Sequence, residues 1–141
     1  MNRARPGDAL WLGGGGALLA SAFLHWVRRG TGSRLRGHEL VDTLVALGGD
    51  VPGLSSARLT VLWYLVPAMG AASWIVFGLA GVDSRAARIV AGIAAVTTGI
   101  TLVGFARLAE LRDLGLGAWT AAAGAATLVG ATFVVARGRA Q

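Results

Sequence analysis

The chain has 141 residues, 55% of them hydrophobic and 14% charged, with a mean hydropathy of +0.63 and a net charge of +6. Soluble domains carry about 25% charged residues, so a water-soluble globule would need an outsized apolar core for its length. There is no cysteine, which removes disulfides, thiolate metal sites, cysteine nucleophiles and dithiol redox chemistry.

Ionised residues are absent from Ala9 to Val27, Leu59 to Val82, Ile89 to Ala106 and Leu114 to Ala136, and charged residues stand at the borders of each gap. About 20 apolar residues cross a hydrocarbon core roughly 30 Å thick. Lipid offers the backbone no hydrogen-bond partner, so runs of this length are helices. The expected fold is all-α: a four-helix transmembrane bundle with helices at about 9–27, 59–82, 89–106 and 114–136, joined early by a long loop over 28–58. The 13 basic residues are all arginine. In short connections beside apolar spans they set topology and attract anionic headgroups. Without an aromatic-plus-basic platform they do not indicate nucleic acid.

In chain order, Arg3 and Arg5, the apolar run and Ala20-Ser21-Ala22 together imitate a secretory signal with an A-x-A cleavage site. Because the run continues to Val27, an uncleaved helix is expected. Gly13 to Gly16 are unusual inside a helix, where each glycine costs about 1 kcal/mol relative to alanine in water. No Lys-Ser/Thr follows them, so they point to close helix contact rather than a phosphate loop. Trp11, Trp26, Trp63, Tyr64 and Trp119 fall where an interfacial belt would stand, and Trp74 falls inside a span as a packing residue. Small residues recur every four positions in Gly13/Ala17/Ser21, Ala91/Ala95/Gly99 and Ala122/Ala126/Gly130, giving ridges for close packing.

Within the long loop, Glu39 to Leu47 reads as a short amphipathic helix, with Leu40, Val41, Leu44 and Leu47 on one side. Glycines 48, 49 and 53 and Pro52 end it. Ser55 or Ser56 is expected to cap the second span, and Asp83 or Ser84 the third. The second and third spans, joined by only six residues, must be antiparallel neighbours. Pro67 should kink the second.

The spans hold no Asp, Glu, Lys or Arg, whereas proton-coupled transporters use an intramembrane ionisable group. Six threonines on the third and fourth spans (97, 98, 101, 120, 127 and 132) supply polar groups there, with hydroxyls expected to bond carbonyls of their own helices. His38, Glu39 and Asp42 look metal-like, but the second histidine of H-E-x-x-H is missing, so no metal and no cofactor is expected. The candidate contacts for a partner or a lipid headgroup are Trp26, Arg28, Arg29, Arg34, Arg36, His38, Glu39, Asp42, Arg107 and Arg112.

Phe23-Leu24-His25-Trp26-Val27, His38-Glu39-Leu40 and Leu62-Trp63-Tyr64-Leu65-Val66-Pro67, with the four-gap layout, resemble the small four-span integral membrane proteins of high-GC actinobacteria. The resemblance transfers no catalytic residue. No nucleophile with a base, carboxylate pair or metal set converges, so no enzyme is expected. The expected role is a non-catalytic structural or accessory subunit that packs against a membrane partner or self-associates. The alternative is a small channel or transporter subunit that acts as an oligomer. The expected location is the inner (plasma) membrane, multi-pass, with both termini cytoplasmic because the tails and short connections are almost purely basic.

Overall fold

The computed structural model describes residues 6–28, 35–46, 56–108 and 111–138. Among them are five α-helices: α1 (Pro6–Ser21), α2 (Gly37–Ala46), α3 (Ser56–Ala80), α4 (Arg85–Leu108) and α5 (Leu116–Gly138). A 3-10 turn (Leu111–Asp113) precedes α5, and no strand forms among the described residues beyond two isolated bridges.

Among the described residues three helices, not the expected four, are long and apolar enough to cross a membrane: Thr60–Ala80, Arg85–Arg107 and Leu116–Arg137. They cover the second, third and fourth charge-free gaps. The first gap is not helical throughout. α1 stops at Ser21, and its 16 residues rise only about 24 Å. The chain leaves the helix through short-range bonds, Ala22 N–H to Leu19 O (3.2 Å) and Phe23 N–H to Ala20 O (3.0 Å). Trp26 then folds back and its Nε1 donates to Ser21 O at 2.8 Å, filling an acceptor that another helical turn would have used.

α1, α3, α4 and α5 form a ring in which each helix packs on its two ring neighbours, and α2 lies on α3. The α1/α5 pair is antiparallel: Gly7 stands against Val135, and Gly14 against Gly124 and Leu128. At one end of the bundle, Val82 and Asp83 of the α3–α4 connection meet Thr132 and Val135 of α5. Ser84 caps α4 as expected, its Oγ accepting from Ala87 N–H at 3.0 Å. Gly81 closes α3 with a φ of +75°, a left-handed conformation that favours glycine at a helix end. Pro67 lies inside α3 without ending it.

The buried seams alternate steps of three and four. Trp11, Gly14, Leu18 and Ser21 line α1, and Trp63, Val66, Gly70 and Ser73 line α3. Ala87, Ala91, Ala94, Thr98, Thr101 and Phe105 line α4, and Ala118, Ala121, Ala125 and Leu128 line α5. A helix turns 100° per residue, so a strict four-residue repeat drifts off any fixed face, whereas alternating threes and fours stay on it. This corrects the expected ridges: Gly13, Gly99 and Ala126 are exposed rather than buried in contacts.

The aromatic belt is corrected in the same way. Trp11, Trp26 and Trp63 are at most 1% exposed: each lies on an inward seam or, for Trp26, on a segment folded into the bundle end. Trp119 and Tyr64 remain outward, at 55% and 46% exposure. Trp74, expected among the packed residues, is 49% exposed, yet its Nε1 donates to Leu12 O at 3.1 Å. The bare backbone at Gly15 and Gly16 lets its indole lie across α1.

Five of the six threonine hydroxyls donate to carbonyls of their own helix, among them Thr97 to Ile93 O (2.8 Å) and Thr101 to Thr97 O (2.8 Å). Thr98 Oγ1 is buried without a hydrogen-bond partner among the described residues.

Candidate functional site

The densest chemistry lies at the bundle end opposite Gly7 and Val135. Here Ala22–Arg28 runs between Arg36–Gly37 on one side and Asp113–Gly117 on the other. Gly37 N–H donates to Leu24 O (3.1 Å), Gly115 N–H to Trp26 O (2.7 Å), Gly117 N–H to His25 O (2.9 Å) and Arg28 N–H to Asp113 O (2.7 Å). His25 bridges to Arg36 and Val27 to Leu114, both antiparallel. Two distant segments thus satisfy a stretch of backbone that is not helical.

Trp26 is the centre of this closure. Its ring meets Trp63 edge-on at 6.1 Å and Phe105 at 5.2 Å, joining the α1 exit to α3 and α4. Two glycines make room for its ring and a third for the backbone beside it. A β-carbon at Gly37 would stand 2.7 Å from both Trp26 and Trp63, and one at Gly117 2.6 Å from Trp26. At Gly115 it would collide with the His25 carbonyl. The sequence reading missed these glycines, although Gly-Leu-Gly at 115–117, directly before an apolar span, was their visible signal. Trp63 Nε1 is buried and, among the described residues, has no acceptor.

α2 seals the side of this end. Its buried residues Leu40 and Val41 bear out the apolar face of the expected amphipathic helix; the side chains of Leu44 and Leu47 lie outside the described residues. Glu39 Oε2 accepts from Arg36 N–H at 2.8 Å while Arg36 O accepts the first helical bond from Leu40 N–H. That is the reciprocal half of a capping box. Asp42 Oδ1 accepts from Tyr64 Oη–H at 3.3 Å, tying α2 to α3. His38 turns inward, its ring edge-on to Phe23 at 6.3 Å and its Nδ1 3.4 Å from Ala22 O. The metal-like trio is therefore divided among three structural tasks, and no group of three His, Asp or Glu converges among the described residues.

Of the ten candidate contact residues, Arg28, Arg36, Glu39, Asp42, Arg107 and Arg112 are exposed, and His38 is half-buried. Arg28, Arg36 and Arg112 border the closure, and Arg107 ends α4 beside it. Trp26, with no exposed surface, has no face to offer a partner or headgroup. Arg29 and Arg34 lie outside the described residues, as do Arg3, Arg5, Ser55 and the glycines and proline at 48–53. What the arrangement offers outwardly is a rim of mixed charge, with Arg28, Arg36, Arg107 and Arg112 beside Glu39, Asp42 and Asp113, around a sealed aromatic plug.

No known family model, curated protein or solved structure matches this chain.

Proposed function

We propose that the protein is a non-catalytic accessory subunit of the inner (plasma) membrane that acts through its outer helix faces, against a larger membrane partner or a second copy of itself. The observation that carries this reading is the contrast between a filled axis and bare flanks. Trp11, Leu18, Trp63, Val66, Phe105 and Leu128 occupy the interior with at most 1% exposure. Only 22% to 39% of each long span is buried, and Leu79, Val96, Leu116 and Phe133 are 61–84% exposed. In water such flanks would aggregate. In a bilayer they are free for lipid or for another helix.

The finer topology belongs to the same proposal. α1 and Ala22–Val27 together make a fourth crossing, whose last part is irregular and buried against protein. Non-helical backbone is tolerated at membrane depth under that condition. Four crossings put both termini on the side of the short, basic α3–α4 connection, which we assign to the cytoplasm.

The test is purification in mild detergent with mass spectrometry of everything retained. A stoichiometric membrane protein, or a stable oligomer of this chain, supports the reading. A monomer that keeps no protein overturns it, and solute flux through liposomes of the pure protein would transfer the role to transport.

A further inference from the structure

The outward face of α4 carries a groove of about 490 Å³ whose lining includes Ala95, Val96, Gly99, Ile100, Val103 and Arg107. Its walls are apolar except at one end, where Arg107 stands in the last turn of the helix. These residues lie on the side of α4 opposite the seam Ala94–Thr98–Thr101–Phe105, so the groove faces away from the bundle. Gly99 forms part of its floor, and a β-carbon there would meet nothing within 4 Å. The packing of this chain therefore does not require glycine at that position. Its effect is to leave a depression.

The dimensions select an occupant. From Arg107 to Ala95 the helix rises roughly 18 Å, and one leaflet of a hydrocarbon core about 30 Å thick is roughly 15 Å deep. The groove thus begins at the level of the headgroups and ends near the midplane. A helix of a second copy would use a face running the whole length of α4, whereas a lipid of one leaflet needs only this half. Charge agrees with shape. The rim is a guanidinium, which pairs with phosphate through parallel hydrogen bonds. The C-terminus of α4 carries the negative end of the helix dipole, so the backbone there repels anions and Arg107 must supply the attraction.

We propose that this groove is a binding site for one anionic phospholipid, with an acyl chain along Val103, Gly99 and Ala95 and the phosphate on Arg107. The proposal rests on α4 being inserted in a membrane, and not on the accessory role.

The experiment is native mass spectrometry of the full chain released from vesicles of equal phosphatidylglycerol and phosphatidylcholine, compared among wild type, Arg107→Gln, Gly99→Leu and Arg88→Gln. Wild type is expected to retain one phosphatidylglycerol in preference to phosphatidylcholine. Arg107→Gln should lower that preference roughly fivefold, since one basic residue near an anionic surface contributes about 1 kcal/mol. Gly99→Leu, which fills the floor, should lose the retained lipid while keeping the wild-type thermal midpoint. Arg88→Gln, at the other end of α4, should behave as wild type. An unchanged preference in Arg107→Gln, or full retention in Gly99→Leu, overturns the site. A dimer in wild type that Gly99→Leu converts to monomer, with lipid retention unaltered, makes the occupant a second copy and also overturns it. Loss of a protein partner is read separately by the mild-detergent purification, so the two proposals fail independently.

Discussion

Gly14 of α1 and Gly124 of α5 meet backbone to backbone: a β-carbon on either would stand 2.9 Å from the other's carbonyl oxygen. One residue along, Gly15 meets α3, where a β-carbon at Gly70 would be 2.7 Å from Gly15 O. Adjacent glycines in the four-glycine run thus serve two different neighbours, and α1 is held between α3 and α5 at van der Waals distance of their backbones. Close approach of this kind supplies the packing that replaces hydrophobic drive between helices in lipid.

Alanine substitutions along the run should separate these roles. Gly14→Ala and Gly70→Ala push a methyl group into a backbone carbonyl that cannot rotate away, and should destabilise the bundle by about 1–3 kcal/mol. Gly13→Ala meets nothing within 4 Å and should hold or raise stability through its better helix propensity. Equilibrium unfolding in mixed micelles gives the comparison, and equal effects at positions 13 and 14 would contradict the packing described.

The two buried tryptophans of the closed end should respond differently to phenylalanine. Trp26→Phe removes the bond to Ser21 O, costing about 1 kcal/mol, and loosens the packing against Gly37 and Gly117. Trp63→Phe removes an indole N–H with no acceptor among the described residues, so relief of that desolvation offsets part of the lost ring area. The expected order of unfolding midpoints is wild type and Trp63→Phe above Trp26→Phe.

Glu39→Ala should loosen α2 alone. It deletes the reciprocal cap on Arg36 N–H, worth about 1 kcal/mol. Faster amide exchange confined to residues 37–43, with α3 to α5 unchanged, is the expected pattern.

Because the chain has no cysteine, single cysteines report topology without background. Under the four-crossing proposal, a thiol at Asp83 is labelled from the same side as reporters fused to either terminus, and a thiol at Arg112 from the opposite side. Termini on opposite sides would leave three crossings and place α1 outside the bilayer.

Three spans, the cap at Ser84 and the helix within the first loop were legible because each depends on local chemistry: charge-free length, a hydroxyl before a helix, and apolar spacing. The end of α1 was not legible. Ala22–Val27 is as apolar as the residues before it, and the interruption comes from contacts with Gly37, Gly115 and Gly117, far away in sequence. For the same reason Trp26 and Trp63 read as interfacial when only their distance from a charge was visible. Arg28, Arg36 and Arg107 are exposed, in keeping with the cost of burying a guanidinium. The individual tasks of Glu39 and Asp42 depend on Arg36 and Tyr64 being brought beside them.

The backbone of Ala22–Arg28 finds its partners at Gly37 and at residues 113–117, and the latter leave the ribosome some ninety residues after the segment they complete. If this segment lies within the bilayer, as the four-crossing proposal has it, His25, Trp26 and Arg28 until then carry main-chain groups that lipid cannot satisfy. Under that proposal Ala22–Arg28 waits in water, or in the shelter of the insertion machinery, and takes its final place only when the N-terminus of α5 arrives. The exit of α1 is finished only once α5 has begun.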